Sequence, residues 1–248
     1  MTKLVWIALL LLTACASPKG PEYIGSESNL RERARIHTEL GAGYFGQNQM
    51  EIALEEFTEA ARIDPTYGLA YNGLGLVYAN LREDVKADNN FQKSLKLEPR
   101  NSESRNNYGT FLCSRNRIDE SITQFLEAVK NPLYATPALA YLNAGVCSLR
   151  KNDVKNAELY LQKALQADPL LNQAAYQLAL IQFNRSNFPQ AHLYLQNALV
   201  SVPSAETLWL AIRIERKLGS RDAEASYALQ LRSKYPNSEQ TKALLAGQ

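Results

Sequence analysis

Histidine is almost missing from this chain: its 248 residues contain two, His37 and His192, placed far apart. There is also no HExxH pair, no Gly-rich phosphate loop, no nucleophile elbow and no CxxC. Metal-assisted hydrolysis, phosphate-loop chemistry, serine-hydrolase chemistry and dithiol redox chemistry all need one of those arrangements. His37 stands where an aromatic residue would, and is expected to pack. His192 is expected on the surface or at a helix contact, and acidic pairs such as Glu55-Glu56 on a solvated helix face. No catalytic residue, metal ligand, cofactor or small-molecule substrate is expected, so the chain does not look like an enzyme. Charge of one sign is lacking too. The 27 Lys and Arg nearly balance 25 Asp and Glu, giving +2, and they alternate along the chain. Without a basic stripe or a platform of interleaved aromatics, nucleic acid is not an expected partner. Finally, no apolar run reaches the about 20 residues that a membrane-spanning helix needs.

The most apolar run is short and sits at the start. Met1-Thr2-Lys3 is followed by nine apolar residues, Leu4 to Leu12, as in the hydrophobic part of an export signal. Leu12-Thr13-Ala14-Cys15 follows directly and resembles a bacterial lipobox, the alternative being an ordinary signal with an incidental Cys. Residues 1–14 are therefore expected to be a lipoprotein signal peptide, and Cys15 the lipidation site. Ala16 rather than Asp follows that Cys. By resemblance to Gram-negative lipoproteins, this implies anchoring in the outer membrane on its periplasmic face. A multiply acylated Cys holds a protein stably where one acyl chain does not. Residues 15–29 hold the lipidated Cys and a stretch rich in Pro, Gly and Ser, expected to be a flexible tether.

The rest is repetitive. In 68–101, Tyr71, Leu74, Gly75, Tyr78, Ala87, Phe91, Ser94 and Pro99 take places 4, 7, 8, 11, 20, 24, 27 and 32 of a unit starting at Gly68. Leu40, Gly41, Tyr44, Ala53, Phe57, Ala60 and Pro65 repeat the pattern from place 7 onward in a unit starting at Ala34. This resembles the tetratricopeptide repeat (TPR), a helix–turn–helix of 34 residues. Small residues at places 8, 20 and 27 let helices A and B approach, large ones at 4, 7, 11 and 24 fill the space between, and Pro at 32 stops helix B. The third unit keeps Tyr108, Gly109, Leu112, Ser121, Phe125 and Ala128, with a longer exit through residues 131–137. The fourth keeps Tyr141, Gly145, Ala157, Leu161, Ala164 and Pro169, and the fifth Leu178, Ala179, Ala191, Leu195, Ala198 and Pro203. The sixth is degenerate. Trp209, Ile212, Ala225 and Leu229 fit, Arg213 replaces the small residue at place 8, and Pro236 comes one place early.

The expected fold is all-α: a right-handed superhelical solenoid of about six TPR repeats filling 30–248. The repeats fall at 34–67, 68–101, 102–137, 138–171, 172–205 and 206–237, with a short capping helix after them. Terminal units of a solenoid are atypical because one of their faces meets water.

With Cys15 assigned to lipid, Cys113 and Cys147 remain. They take places 12 and 10 of neighbouring A helices, which run side by side, and an exported chain meets an oxidising compartment. A disulfide between them is expected; the alternative is two buried thiols that merely pack.

Asn106-Asn107-Tyr108-Gly109-Thr110-Phe111-Leu112-Cys113 is similar to an NNYG-x-FLC signature, and Asn143-Ala144-Gly145-Val146-Cys147 to an NAG-x-C signature, preceded by Pro132-Leu133-Tyr134. With the lipobox and six repeats, they resemble the PilF/PilW family of type IV pilus biogenesis lipoproteins. The resemblance implies a pilotin: an outer-membrane lipoprotein that binds the subunits of the pilus secretin and promotes their localisation and multimerisation. The alternative is a general TPR scaffold of the envelope that recruits cell-wall hydrolases or proteases.

Places 2, 5, 6, 9, 12 and 13 of A helices usually face the groove of a TPR stack. Leu69, Asn72, Leu76, Asn106, Asn107, Asn143, Val146, Tyr176, Leu180 and Phe183 are the candidates for a partner-binding groove. Apolar residues there would bury a partner segment, and amides can donate to and accept from its backbone. The asparagines have a second reading, as bonds that hold adjacent repeats together. A chaperone-tail clamp is disfavoured, since Thr38 and Ala42 stand where repeat one would need Lys and Asn. Repeats one to three carry the cleanest pattern and are expected to be the binding half.

Overall fold

The computed structural model describes residues 27–247; the expected signal peptide, Cys15 and most of the expected tether lie outside them. Among the described residues there are thirteen α-helices and no strand. Each repeat is a pair: α1(Glu27–Gly46) with α2(Met50–Ile63), α3(Gly68–Asn80) with α4(Asp84–Leu97), α5(Ser102–Ser114) with α6(Ile118–Ala128). Then come α7(Pro137–Arg150) with α8(Val154–Ala167), α9(Asn172–Asn184) with α10(Phe188–Ala198), and α11(Ala205–Leu218) with α12(Arg221–Lys234). A last helix, α13(Glu239–Leu245), lies against α11 and α12.

The turn between the helices of each pair is set by one left-handed residue. Asn48, Arg82, Asn116, Asn152, Ser186 and Gly219 all have φ between 59° and 74°. Asn tolerates this region better than most side chains and Gly adopts it freely. Beyond helix B, Pro65, Pro99, Pro169 and Pro236 follow the last helical turn, because a ring without an N–H cannot extend it.

Packing within a pair depends on a missing side chain. A Cβ on Gly41 would lie 2.9 Å from the Phe57 ring, on Gly75 2.8 Å from Phe91, and on Gly109 2.7 Å from Phe125. Phe57 is also covered by Gly73 of the next repeat, where a Cβ would stand only 2.2 Å away. Between pairs, every A helix touches the A helix of the next repeat, whereas no B helix among the described residues touches another B helix. The A helices are therefore the crowded inner side of the stack, and the B helices fan apart outside.

The sixth repeat runs one place earlier than the sequence frame of 206–237. Counted from Ala205, the left-handed Gly219 takes place 15, as Asn48 does in repeat one, and Pro236 takes place 32. Leu208, Ile212 and Leu231 then form the core of the pair. Ala225 and Leu229, expected at core places, are solvent-exposed, Leu229 at 63%. The shift arises in the connection before α11, one residue shorter than a full unit. The early Pro236 was its trace in the sequence.

Candidate partner-binding groove

The inner side of repeats one to three opens as a cleft of about 370 Å³. Phe45 from α1, Leu76 and Ala79 from α3, and Phe111 from α5 form its apolar part, with Phe91 beneath. Asn107 and Thr110 line it from α5, and Asn80 from the end of α3. Arg115 closes one end. Its guanidinium donates to Asp84 Oδ1 at 2.8 Å and to the carbonyl of Ala79 at 2.9 Å, and it lies over the Phe111 ring. The same guanidinium holds the Asp84 carboxyl below the usual carboxylate range. The result is an apolar floor with amides along its side and an ion-paired guanidinium fixed at one end. Such a surface suits an extended or helical peptide, which needs apolar burial and partners for its backbone.

The amides are bonded across the repeats. Asn107 Nδ2 donates to Asn72 Oδ1 at 3.4 Å between α5 and α3, and Asn143 Nδ2 donates to Asn106 Oδ1 at 3.0 Å between α7 and α5. This ladder fixes the spacing of three successive A helices.

Two tetratricopeptide-repeat family models match the chain, over residues 90–123 and 114–171. The type IV pilus assembly protein PilF of Pseudomonas aeruginosa is 30% identical over 236 residues, covering 95% of this chain and 94% of PilF. The crystal structure of PilW, a widely conserved type IV pilus biogenesis factor, superposes with a TM-score of 0.74 at 32% identity, over 86% of this chain and 98% of that one. The solved structure of Pseudomonas aeruginosa PilF gives 0.79 at 29% identity, over 88% and 99%.

This chain belongs to the PilF/PilW family.

The two PilF/PilW signatures meet face to face in the fold. Asn106 and Cys113 lie on α5, Asn143 and Cys147 on α7, and the amides bond at one point while the cysteines are joined at another. The Cys113 and Cys147 Cα atoms are 6.0 Å apart, Cys147 fully buried and Cys113 half-buried. The Arg150 guanidinium donates to the Cys113 carbonyl at 2.6 Å, adding a third tie between the same helices. Repeats three and four are thus fastened together beside the open cleft.

The ten expected groove residues of this family member do not form one surface. Leu76 and Asn107 line the cleft. Asn72, Asn106 and Asn143 belong with Asn107 to the amide ladder, Asn72 being buried. Leu69 packs against Ala34, Ala60 and Tyr67 between repeats one and two. Val146 packs against Leu161 and Leu178. Tyr176, Leu180 and Phe183 lie against Leu210, Ala211 and Ile214 of α11. Arg213 covers the Phe183 ring at 4.4 Å from its centre, and burial pushes the Tyr176 hydroxyl above the ordinary tyrosine range. Tyr176, Leu180 and Phe183 stay partly exposed, as Leu76 does, at the junction of repeats five and six.

Phe45, Ala79 and Asn80 occupy places 12, 12 and 13, so the groove places contained them although they were not singled out. Phe111 and Arg115 had no such signal, because they reach the cleft from places 10 and 14. Neither histidine is near it. His37 Nδ1 pairs with Glu56 Oε2 at 2.6 Å, which makes Glu56 a half-buried partner rather than part of a solvated face. His192 Nδ1 pairs with the buried Glu215 Oε1 at 2.6 Å between repeats five and six.

Proposed function

We propose that the chain is a pilotin. It is exported to the outer membrane, held there on the periplasmic face by acylated Cys15, and binds a segment of the type IV pilus secretin so that its subunits localise and multimerise. The observation that carries the reading is the cleft of repeats one to three: open, apolar at Leu76, lined by amides, and flanked by the fastened pair α5 and α7. Likeness to pilus assembly proteins over nearly the whole chain supports the same role. Desolvated apolar anchors at the centre of an interface usually dominate its energy. Leu76 is therefore the expected anchor, and Phe183, packed under Arg213, a structural residue.

Replacing Leu76→Asp is expected to abolish secretin multimers in outer-membrane extracts while the helical circular dichroism is kept. A folded Leu76→Asp protein with normal multimers would place the contact elsewhere. For the anchor, intact-mass measurement of membrane-extracted protein is expected to show lipid on Cys15, and Cys15→Ser to leave the protein unprocessed or mislocalised.

A further inference from the structure

Every connection from a helix B to the next helix A lies along one edge of the solenoid, and α1 begins on that same edge. Arg31, in the second turn of α1, pairs with Asp64 in the first of these connections at 3.1 Å and approaches Glu98 in the second at 3.9 Å. It also lies over the ring of Tyr67. The chain toward Cys15 therefore leaves the fold from this edge. Eleven residues, 16–26, separate Cys15 from Glu27. At about 3.5 Å each they reach no farther than roughly 40 Å.

The connections differ in character. The first two, Asp64-Pro65-Thr66-Tyr67 and Glu98-Pro99-Arg100-Asn101, are polar at their tips. The next three carry Leu133 at 88% exposure, Leu170 at 68%, and Val200 and Val202 at 63% and 79%. Four large apolar side chains thus project into solvent from three consecutive connections. Among the turns of the opposite edge, Leu81 and Leu218 are less than half exposed. Only Val85, just inside α4, projects comparably. Beside Leu133, a cleft of about 490 Å³ between the second and third connections is lined by Arg100, Arg105 and Lys130 against a single carboxylate, Glu127.

We infer that this edge rests on a lipid bilayer, with Leu133, Leu170, Val200 and Val202 dipping into the boundary between headgroups and acyl chains and the three cations at the level of the phosphates. The inference rests on the acylation of Cys15 proposed above, since the anchor brings the edge to the membrane. Apolar side chains beside basic ones, on the side of the molecule nearest an anchor, are the chemistry by which proteins lie on a membrane surface rather than span it. Docking along the edge leaves the inner cleft open to a protein partner and fixes the solenoid's orientation.

The test uses the tryptophan economy of the chain. Trp209 is the single tryptophan beyond the signal peptide, so Trp209→Phe gives a dark background. In that background Leu133→Trp, Leu170→Trp and Val202→Trp are made one at a time, with Val85→Trp as the opposite-edge control. Each lipidated protein is reconstituted in vesicles of phosphatidylethanolamine and phosphatidylglycerol, with and without brominated acyl chains. Emission from the three edge probes is expected to shift to the blue and to lose much of its intensity to bromine, while that of Val85→Trp stays unchanged. Edge probes as unquenched as the control overturn the inference. If mass spectrometry finds Cys15 without acyl chains, the acylation reading fails separately. The Cys15 thiol is then coupled to a maleimide phospholipid, and the same quenching decides the fate of the edge.

Discussion

Repeats one to three and repeat six solve the same packing problem with opposite residues. In the first three, helix A gives up its side chain at place 8 (Gly41, Gly75, Gly109) and helix B supplies Phe at place 24 (Phe57, Phe91, Phe125). The fourth pairs Gly145 with Leu161, and the fifth Ala179 with Leu195. In the sixth the bulk has crossed over, with Ile212 on helix A and Ala228 on helix B. The volume shared by the two places is kept roughly constant while its owner changes. Cores tolerate such exchange because total volume and pattern matter more than which helix supplies the bulk. The same exchange reaches the inner side of the stack, where the A helix of repeat six packs against the partly exposed Tyr176, Leu180 and Phe183.

The sharpest way to break the comparison is Phe91→Ala. It removes the fully buried ring of repeat two and is expected to cost about 3–5 kcal/mol in urea unfolding, since Gly75 leaves no atoms to collapse into the space. Next is the link between the halves. Cys113→Ser with Cys147→Ser, separated by 34 residues, is expected to lower stability by about 3–4 kcal/mol in the chain-entropy model. The helical circular dichroism should persist, because each repeat still packs on its neighbours. Non-reducing peptide maps that recover both thiols free would remove this difference.

The frame of repeat six gives a smaller contrast. Leu231→Ala, at a fully buried side chain, should cost about 3 kcal/mol. Leu229→Ala should stay within about 0.5 kcal/mol, and the reverse order would restore the frame starting at 206. Smaller again, Gly109→Ala alone should cost about 1–2 kcal/mol by overpacking against Phe125. Combined with Phe125→Leu, which imitates repeat five, it should recover part of that loss in a double-mutant cycle. The least effect at ordinary pH comes from the tyrosines. Burial pushes Tyr108, Tyr134 and Tyr176 above the ordinary range. A raised folded-state value means that stability is fully present below the unfolded value of about 10 and is lost as pH rises through the folded values. Thermal midpoints should therefore hold steady up to about pH 10 and decline above it.

Most of the fold was legible. The places that recur at 34 residues fixed the helix pairs, their stops at Pro65, Pro99 and Pro169, and the small residues where helices meet. Cys113 and Cys147 could be paired on paper because places 12 and 10 of adjacent A helices lie near each other in any such stack. The groove was legible only in part. A place number says toward which side a residue points, and it does so equally for Leu76 and Phe183. It does not say whether another repeat covers that side.

From the sequence alone, then, came the repeat, the direction in which each side chain leaves its helix, and the neighbours that successive A helices must become. These are local or periodic properties, set by 3.6 residues per turn and by where Gly and Pro stand. The tertiary structure decided the rest. It decided the one-place shift of repeat six, the pairing of Asn107 with Asn72 and of Asn143 with Asn106, and the cleft that Phe45, Leu76 and Phe111 line together. Each depends on what packs against a face, and that is a property of the finished stack rather than of any segment in it.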